Sequence, residues 1–399
     1  MTAETPPHEA PEAIARRLAP VLRESAAKDD EAAAFPVEAL AALRETPLMG
    51  LLVPVEHGGL GADAATLART ARELAAGSLS AALIWAMHCQ QVAALAAAAP
   101  PALAERLLPR IARGEVYLAS VTTESGKGGH LTTAVAPLTR QDGRLRIHRE
   151  APIVTGGEHA DGFLITLRDG EDAADTAVSL VYADREQLTV RTSGDWNPMG
   201  MRATHSVALT LDGEVPADQL VGTPGRFADL VADVFGPFAH VAWAACWLGA
   251  ATGVTRDVLG MLRDPKRRTG FDLSSELVLD RIARIRMDLD AVAAYVRAVA
   301  DEVDAARGGS ALRATDAQLR INGLKVFASE TLMGTADRLM DLTGLRHGYQ
   351  RSSPLAVERL FRDLKSARLN YSNDRLTTAD GLLAQLDPEV SLDPPDRRR

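Results

Sequence analysis

The spacing of apolar residues changes character twice along this chain, and those two changes limit what it can fold into. Over residues 11–113 the spacing is helical: Ile14, Leu18, Val21 and Leu22 recur every three to four positions, with Arg and Glu between them. Over residues 116–222 it becomes a series of short β-branched runs, YLASV, LTTAV, RLRIH, GFLITL, VSLVYA, LTVRT and HSVALTL, separated by Gly and Asp turns. From residue 227 the helical spacing returns and persists through four long regions, 228–263, 275–306, 312–343 and 354–384. A βαβ alternation is absent from the middle segment, which argues against a doubly wound sheet. The predicted architecture is therefore α+β in three parts. After a lead at 1–12 come an N-terminal α-helical domain at 13–115, a middle β domain at 116–224, a C-terminal four-helix bundle at 225–386 and a polar tail at 387–399.

The most informative stretch is 117–161, which is rich in Thr, Val and Gly where its surroundings are rich in Ala and Leu. It offers small residues, hydroxyls and backbone donors, the equipment a flat ligand with a polar edge requires. On the N-terminal side, 80–98 reads as a helix apolar nearly all round, so it belongs inside the structure.

Charge and cysteine usage exclude several classes. The chain of 399 residues carries 44 basic and 53 acidic residues, for a net charge of −9, without a long basic block, so no nucleic-acid partner is expected. Cys89 and Cys246 sit in apolar surroundings outside any CxxC or Cys/His pattern, so no metal ligand set is assigned. The composition suits a reducing cytoplasm. The first residues lack a basic segment followed by an apolar run, so no signal peptide is expected. No uninterrupted apolar run reaches the roughly 18 residues of a membrane span, and 92–101 comes nearest.

Seven local patterns, in order, carry a resemblance. FPVEALAALRETPLMGLLVPVEHGGLGAD has an F-P, a helix and P-x-x-x-G-G-x-G. ARELAAGSLSAALIWAMH follows it, then LLPRIARGEVYLASVTTES, APIVTGGEHAD and MGMRATHSVALTLDGEVPADQLVG, with RRTGF and VERLFRDLKSARL in the C-terminal part. Together they resemble the acyl-CoA dehydrogenase superfamily over about residues 15–375. The resemblance implies a flavin, FAD or else FMN, held between the β domain and the C-terminal helices. It also implies a tetramer or dimer in which a neighbouring copy completes the cofactor site. By the same resemblance Thr122, Thr123, Gly128 and Gly129 fall on the loop that contacts the flavin ring, and Val154 and Thr155 on the strand facing its N5 edge. Arg268 and Phe271 match the R-x-x-F that reaches the pyrophosphate and adenine, chemistry for which an Arg fork is suited.

The chain departs from the family at decisive places. Ser125 replaces the proline of T-E-P, Gly129 the serine of G-S-D, and Ile153 the flavin-facing tryptophan of W-I-T. The glutamate that removes the α-proton of an acyl thioester is replaced by Tyr371, and the alternative early position is Ala239, beside His240. Tyr is a poor base at neutral pH; Asp374 lies three residues on. His88, on the apolar helix, and His240 are the candidate donors near the flavin, against the plainer reading of satisfied core histidines. Three functions follow. The first is desaturation of an acyl thioester. The alternative is a monooxygenase using reduced flavin and oxygen, with a flavin reductase or electron-transfer partner. The last is a non-catalytic flavin-binding protein.

Overall fold

The structure, a computed structural model, describes residues 9–126, 130–268 and 270–392. Five helices open the chain: α1 (Pro11–Ala32), α2 (Val37–Arg44), α3 (Ala64–Ala75), α4 (Leu79–Ala98) and α5 (Pro101–Ala112). Two side chains start α3. Asp63 accepts from the amide of Thr66, and the Asp304 carboxylate, from a distant helix, accepts from the amides of Ala64 and Ala65 at 2.7 and 3.0 Å. These bonds satisfy donors that a helix leaves unpaired at its N-terminus. Capped by Ser78, α4 is buried around most of its circumference, as its sequence requires.

The middle domain holds β1 (Leu118–Val121), β2 (Thr139–Gln141), β3 (Arg144–Ala151), β4 (Gly162–Arg168), β5 (Val178–Asp184), β6 (Leu188–Ser193), β7 (Ala208–Pro216) and β8 (Leu220–Val221). They form two four-stranded sheets, β1-β4-β5-β8 and β2-β3-β7-β6, with β1 parallel to β4 and the other pairs antiparallel. In β3 burial alternates strictly, placing Leu145, Ile147, Arg149 and Ala151 inward. The LTTAV run at 131–135 is not a strand. The amides of Val135 and Ala136 go instead to the Glu124 carboxylate, and that of Ala134 goes to the Asp175 carbonyl.

The C-terminal part comprises α6 (Phe227–Leu230), continuing through a π turn (Val231–Phe235) into α7 (Gly236–Arg263), then α8 (Glu276–Ala305), α9 (Thr315–Gly344), α10 (Val357–Lys365) and α11 (Asn373–Ala384). The α7 helix binds the bundle to the N-terminal domain. A Cβ at Gly249 would lie 2.2 Å from the Arg72 carbonyl oxygen of α3, so only glycine permits that approach. The fourth helical region of the bundle is broken: a 3-10 turn (Ser366–Arg368) and an irregular segment separate α10 from α11. Two helices, Leu79–Ala98 and Phe227–Arg263, are long and apolar enough to cross a membrane by length and composition, and both lie mostly inside the protein. The inward faces of all three parts join one hydrophobic core.

Candidate active site

Arg149 alternates inward on β3 with Leu145, Ile147 and Ala151, and its side chain is fully buried. A buried guanidinium needs a paired anion. Glu124 provides it, in the loop after β1, while also holding the amides of Val135 and Ala136 at 2.8 Å each. Arg149 donates a further bond to the Thr123 carbonyl at 2.9 Å. The Thr123 hydroxyl then donates to the Ile153 carbonyl at 2.6 Å and accepts from the Ile153 amide at 3.3 Å. The loop carrying Thr122 and Thr123 is thus clasped to the segment carrying Val154 and Thr155.

On that segment the amides of Val154 and Gly156 donate to the carbonyls of Val207 and Thr204, both at 3.0 Å. The Thr155 amide, between them, makes no such bond among the described residues. The Thr155 and Ser206 hydroxyls lie 3.1 Å apart, and Ser206 continues to the Thr204 hydroxyl at 2.8 Å. Gly156 has φ +60°, and a Cβ there would meet the Tyr117 hydroxyl at 2.5 Å and the Phe35 ring at 2.6 Å. Ile153 stands half exposed beside this edge. A spare amide donor, a hydroxyl relay and an open apolar flank fit the polar edge and face of a flavin ring. Gly128 and Gly129 lie outside the described residues.

A second candidate cluster forms where the fourth helical region breaks. Tyr371 takes φ +45°, an unusual angle for a bulky residue. It packs against Trp243, with ring centroids 4.9 Å apart, and edge-on to His240 at 6.0 Å. Burial pushes the Tyr371 phenol up, and a hydrogen bond with Gln90 pulls the other way. Gln90 is itself oriented by donating to the Phe235 carbonyl at 2.9 Å, within the π turn. His240 is buried. Its Nδ1 lies 3.3 Å from the Ile321 carbonyl, while Nε2 has no partner, and the indole N–H of buried Trp243 also has none. Burial, and then Lys325, lower His240 to about 4.

Next to this cluster Lys325, fully buried on α9, donates to Asn373 Oδ1 at 2.7 Å, and Asn373 donates to Ser329 at 3.0 Å and to Glu330 at 3.2 Å. Burial lowers the Lys325 amine to about 7. Glu330 itself is half exposed and paired with Arg368 at 3.3 Å. Asp374 is exposed in the first turn of α11. With about 100° between successive residues, turning Asn373 inward turns Asp374 out, away from the ring cluster. His88 is different again. Its Nε2–H donates to the Met49 carbonyl at 2.9 Å, and its Nδ1 accepts from the Leu118 amide at 3.1 Å. Both ring nitrogens are spent on joining α4 to the neighbouring backbone, so neither is left to donate to a cofactor.

The N-terminal and C-terminal domains of acyl-CoA dehydrogenases match residues 8–115 and 238–370. The chain belongs to the acyl-CoA dehydrogenase superfamily. Membership places it among flavin-dependent oxidoreductases of both dehydrogenase and monooxygenase type. It is 26% identical over 356 residues to cyclohex-1-ene-1-carbonyl-CoA dehydrogenase of Syntrophus aciditrophicus, covering 87% of this chain and 82% of that one. It is 23% identical over 376 residues to dibenzothiophene monooxygenase of Rhodococcus erythropolis, covering 90% and 89%. The crystal structure of FMN-bound TdsC from Paenibacillus sp. A11-2 superposes with a TM-score of 0.85 at 22% identity, covering 96% of this chain and 100% of that one.

Within this acyl-CoA dehydrogenase fold the remaining cofactor candidates gather at one end of the bundle. Arg268 is exposed, and Phe271 is half-buried with its ring 6.2 Å from that of His347. His347 belongs to the turn at the end of α9, so the segment after α7 meets the end of α9 at one surface. Sequence reasoning missed Gln90, Trp243 and Lys325. A lysine at helical spacing reads as a solvated face, and the burial of Lys325 depends on a partner contributed by another helix.

Proposed function

We propose that this chain is a flavin-dependent monooxygenase rather than an acyl-thioester dehydrogenase. One observation carries the reading. By the resemblance, Tyr371 takes the position at which the family's dehydrogenases carry a carboxylate base, and here it is a phenol kept protonated by burial and packed with Trp243, His240 and Gln90. A protonated phenol donates a hydrogen bond and is a poor acceptor of an α-proton. The clasped loop with Thr122 and Thr123, together with Thr155, would hold the flavin ring, and the likeness to an FMN-bound neighbour supports FMN as readily as FAD. Reduced flavin, delivered by a separate reductase, supplies the electrons with which one oxygen atom enters the substrate and the other leaves as water. This chain's residues orient and exclude. Tyr371 and Trp243 bring donors and His240 Nε2 an acceptor into one packed cluster, and Ile153 stands open beside the Thr155 edge.

The test is a paired assay on the flavin-loaded protein. Anaerobic addition of a panel of acyl-CoAs should leave the flavin absorbance unbleached. Reduced flavin with oxygen and an aromatic heterocycle such as indole or dibenzothiophene should give an oxygenated product. Bleaching by an acyl-CoA, with appearance of the enoyl product, would sink the proposal. Flavin binding with silence in both assays would favour a protein that binds flavin without turnover. Tyr371→Phe should lower oxygenation by roughly tenfold or more, the worth of one donor to a reacting group.

A further inference from the structure

Beside the Thr155 edge, three metal-ligating side chains converge that have no part in the proposed oxygenation. Glu158 and His159 sit on the single 3-10 turn Gly157–His159, and His205 follows the turn Arg202–Thr204. One ligand atom from each lies within 4.8 Å of the others. The ligand atoms are not engaged elsewhere among the described residues. His205 Nδ1 is buried with no hydrogen-bond partner and stands 3.5 Å from a Glu158 carboxylate oxygen. His159 contributes a ring that stacks on Phe35 of the N-terminal domain, with centroids 4.3 Å apart and planes 14° from parallel. The nearby Arg185 is tied to the carbonyls of Gly157 and Ala160 at 3.2 and 3.3 Å. The backbone is bent to make this meeting. Met201 and His205, which flank the turn, take φ of +53° and +42°. Non-glycine residues persist at such angles only where their surroundings impose them.

We propose that Glu158, His159 and His205 bind a divalent transition-metal ion of the zinc class, with solvent completing its coordination. Two imidazoles and a carboxylate are the donor set that borderline ions take, in preference to calcium or magnesium. Donors around a tetrahedral zinc lie about 3.3 Å apart, a closure from the present spacing that side-chain rotation supplies. Glu158 is open to solvent and gives the ion its approach. The site would pin Phe35, through His159, to the segment in which His205 lies between Thr204 and Ser206. Those hydroxyls continue to Thr155, so an ion here would stiffen the edge facing the flavin without touching the reaction.

The experiment uses untagged full-length protein dialysed against chelator and then against zinc or cobalt, with metal content and the visible cobalt spectrum as readouts. His205→Asn keeps a side chain tolerated at left-handed angles, and His159→Phe keeps the stack on Phe35, so both variants should fold. Wild type should take up one ion per chain and gain thermal stability with zinc. Each single variant and Glu158→Gln should weaken binding at least about tenfold while keeping the metal-free midpoint and circular dichroism of wild type. Stoichiometric uptake that survives in the His159→Phe/His205→Asn double variant would overturn the assignment, and so would no uptake by wild type.

Discussion

His88 on α4 and His240 on α7 are both buried histidines on packed core helices, and burial brings both to about 4. By these measures they are twins. Their partners separate them: both nitrogens of His88 are bonded to backbone, whereas His240 keeps Nε2 unpaired beside the unpaired indole N–H of Trp243. A buried polar atom without a partner costs stability, so two of them side by side are the places where a bound molecule would gain most, as the proposed function requires. Burial and a shifted pKa therefore do not distinguish the two rings. Hydrogen-bond satisfaction tells them apart.

The strongest way to break this comparison is to remove each ring in turn. His88→Leu strands the Met49 carbonyl and the Leu118 amide, and should cost about 2–4 kcal/mol, seen as a fall in the thermal midpoint. His240→Leu gives up one long contact to the Ile321 carbonyl at 3.3 Å and an atom that was already unpaired, and should cost less. If the two variants lose equal stability, the distinction between the histidines fails.

Acid titration sharpens the comparison by testing what the two share. An unfolded histidine titrates near 6.5, so above that pH both states are neutral and neither ring contributes a pH term. Between 6.5 and about 4, the unfolded chain takes protons that the folded chain refuses, and stability falls as pH falls. Each ring contributes about 1.4 kcal/mol per pH unit within that window. The Asp363 carboxyl, raised to about 7 by burial, works in the opposite direction, so the informative quantity is the difference between wild type and variant. His88→Leu and His240→Leu should each flatten the acid limb, measured by denaturant midpoints from pH 7 to 4, by one proton's worth. An unchanged slope in either variant would mean that its ring is protonated in the folded state.

The order of the three parts was legible because apolar spacing reports local geometry, and the β-branched runs at 162–167 and 178–183 did become β4 and β5. LTTAV looked equally strand-like, yet its region pairs with a carboxylate. The sequence does not show that Glu124 reaches Val135 and Ala136. The loops assigned to the flavin rest on resemblance alone, since which of their donors stay free depends on which neighbours bond and which do not. The bundle's fourth region read as one helix because its helical spacing continues across the break, whereas what turns Tyr371 inward is a single left-handed residue. Glu158 and His159 were adjacent in plain view, but His205, the third member of the proposed ligand set, comes from a segment brought alongside by β7.

The smallest effect on stability should carry the largest effect on recognition. Trp243→Phe removes an indole N–H that no protein group uses and keeps a ring against Tyr371, so the folded state should change by less than about 1 kcal/mol. A substrate that accepts that N–H would lose a hydrogen bond in buried surroundings, worth roughly tenfold in KM, with kcat changed far less because the contact is the same before and during reaction. His240→Leu should act on the same substrate from the acceptor side, and the double variant should lose less than the two losses added if one ligand bridges both groups. A Trp243→Phe enzyme with unaltered KM but reduced stability would place the indole with His88, among the groups that hold the fold together.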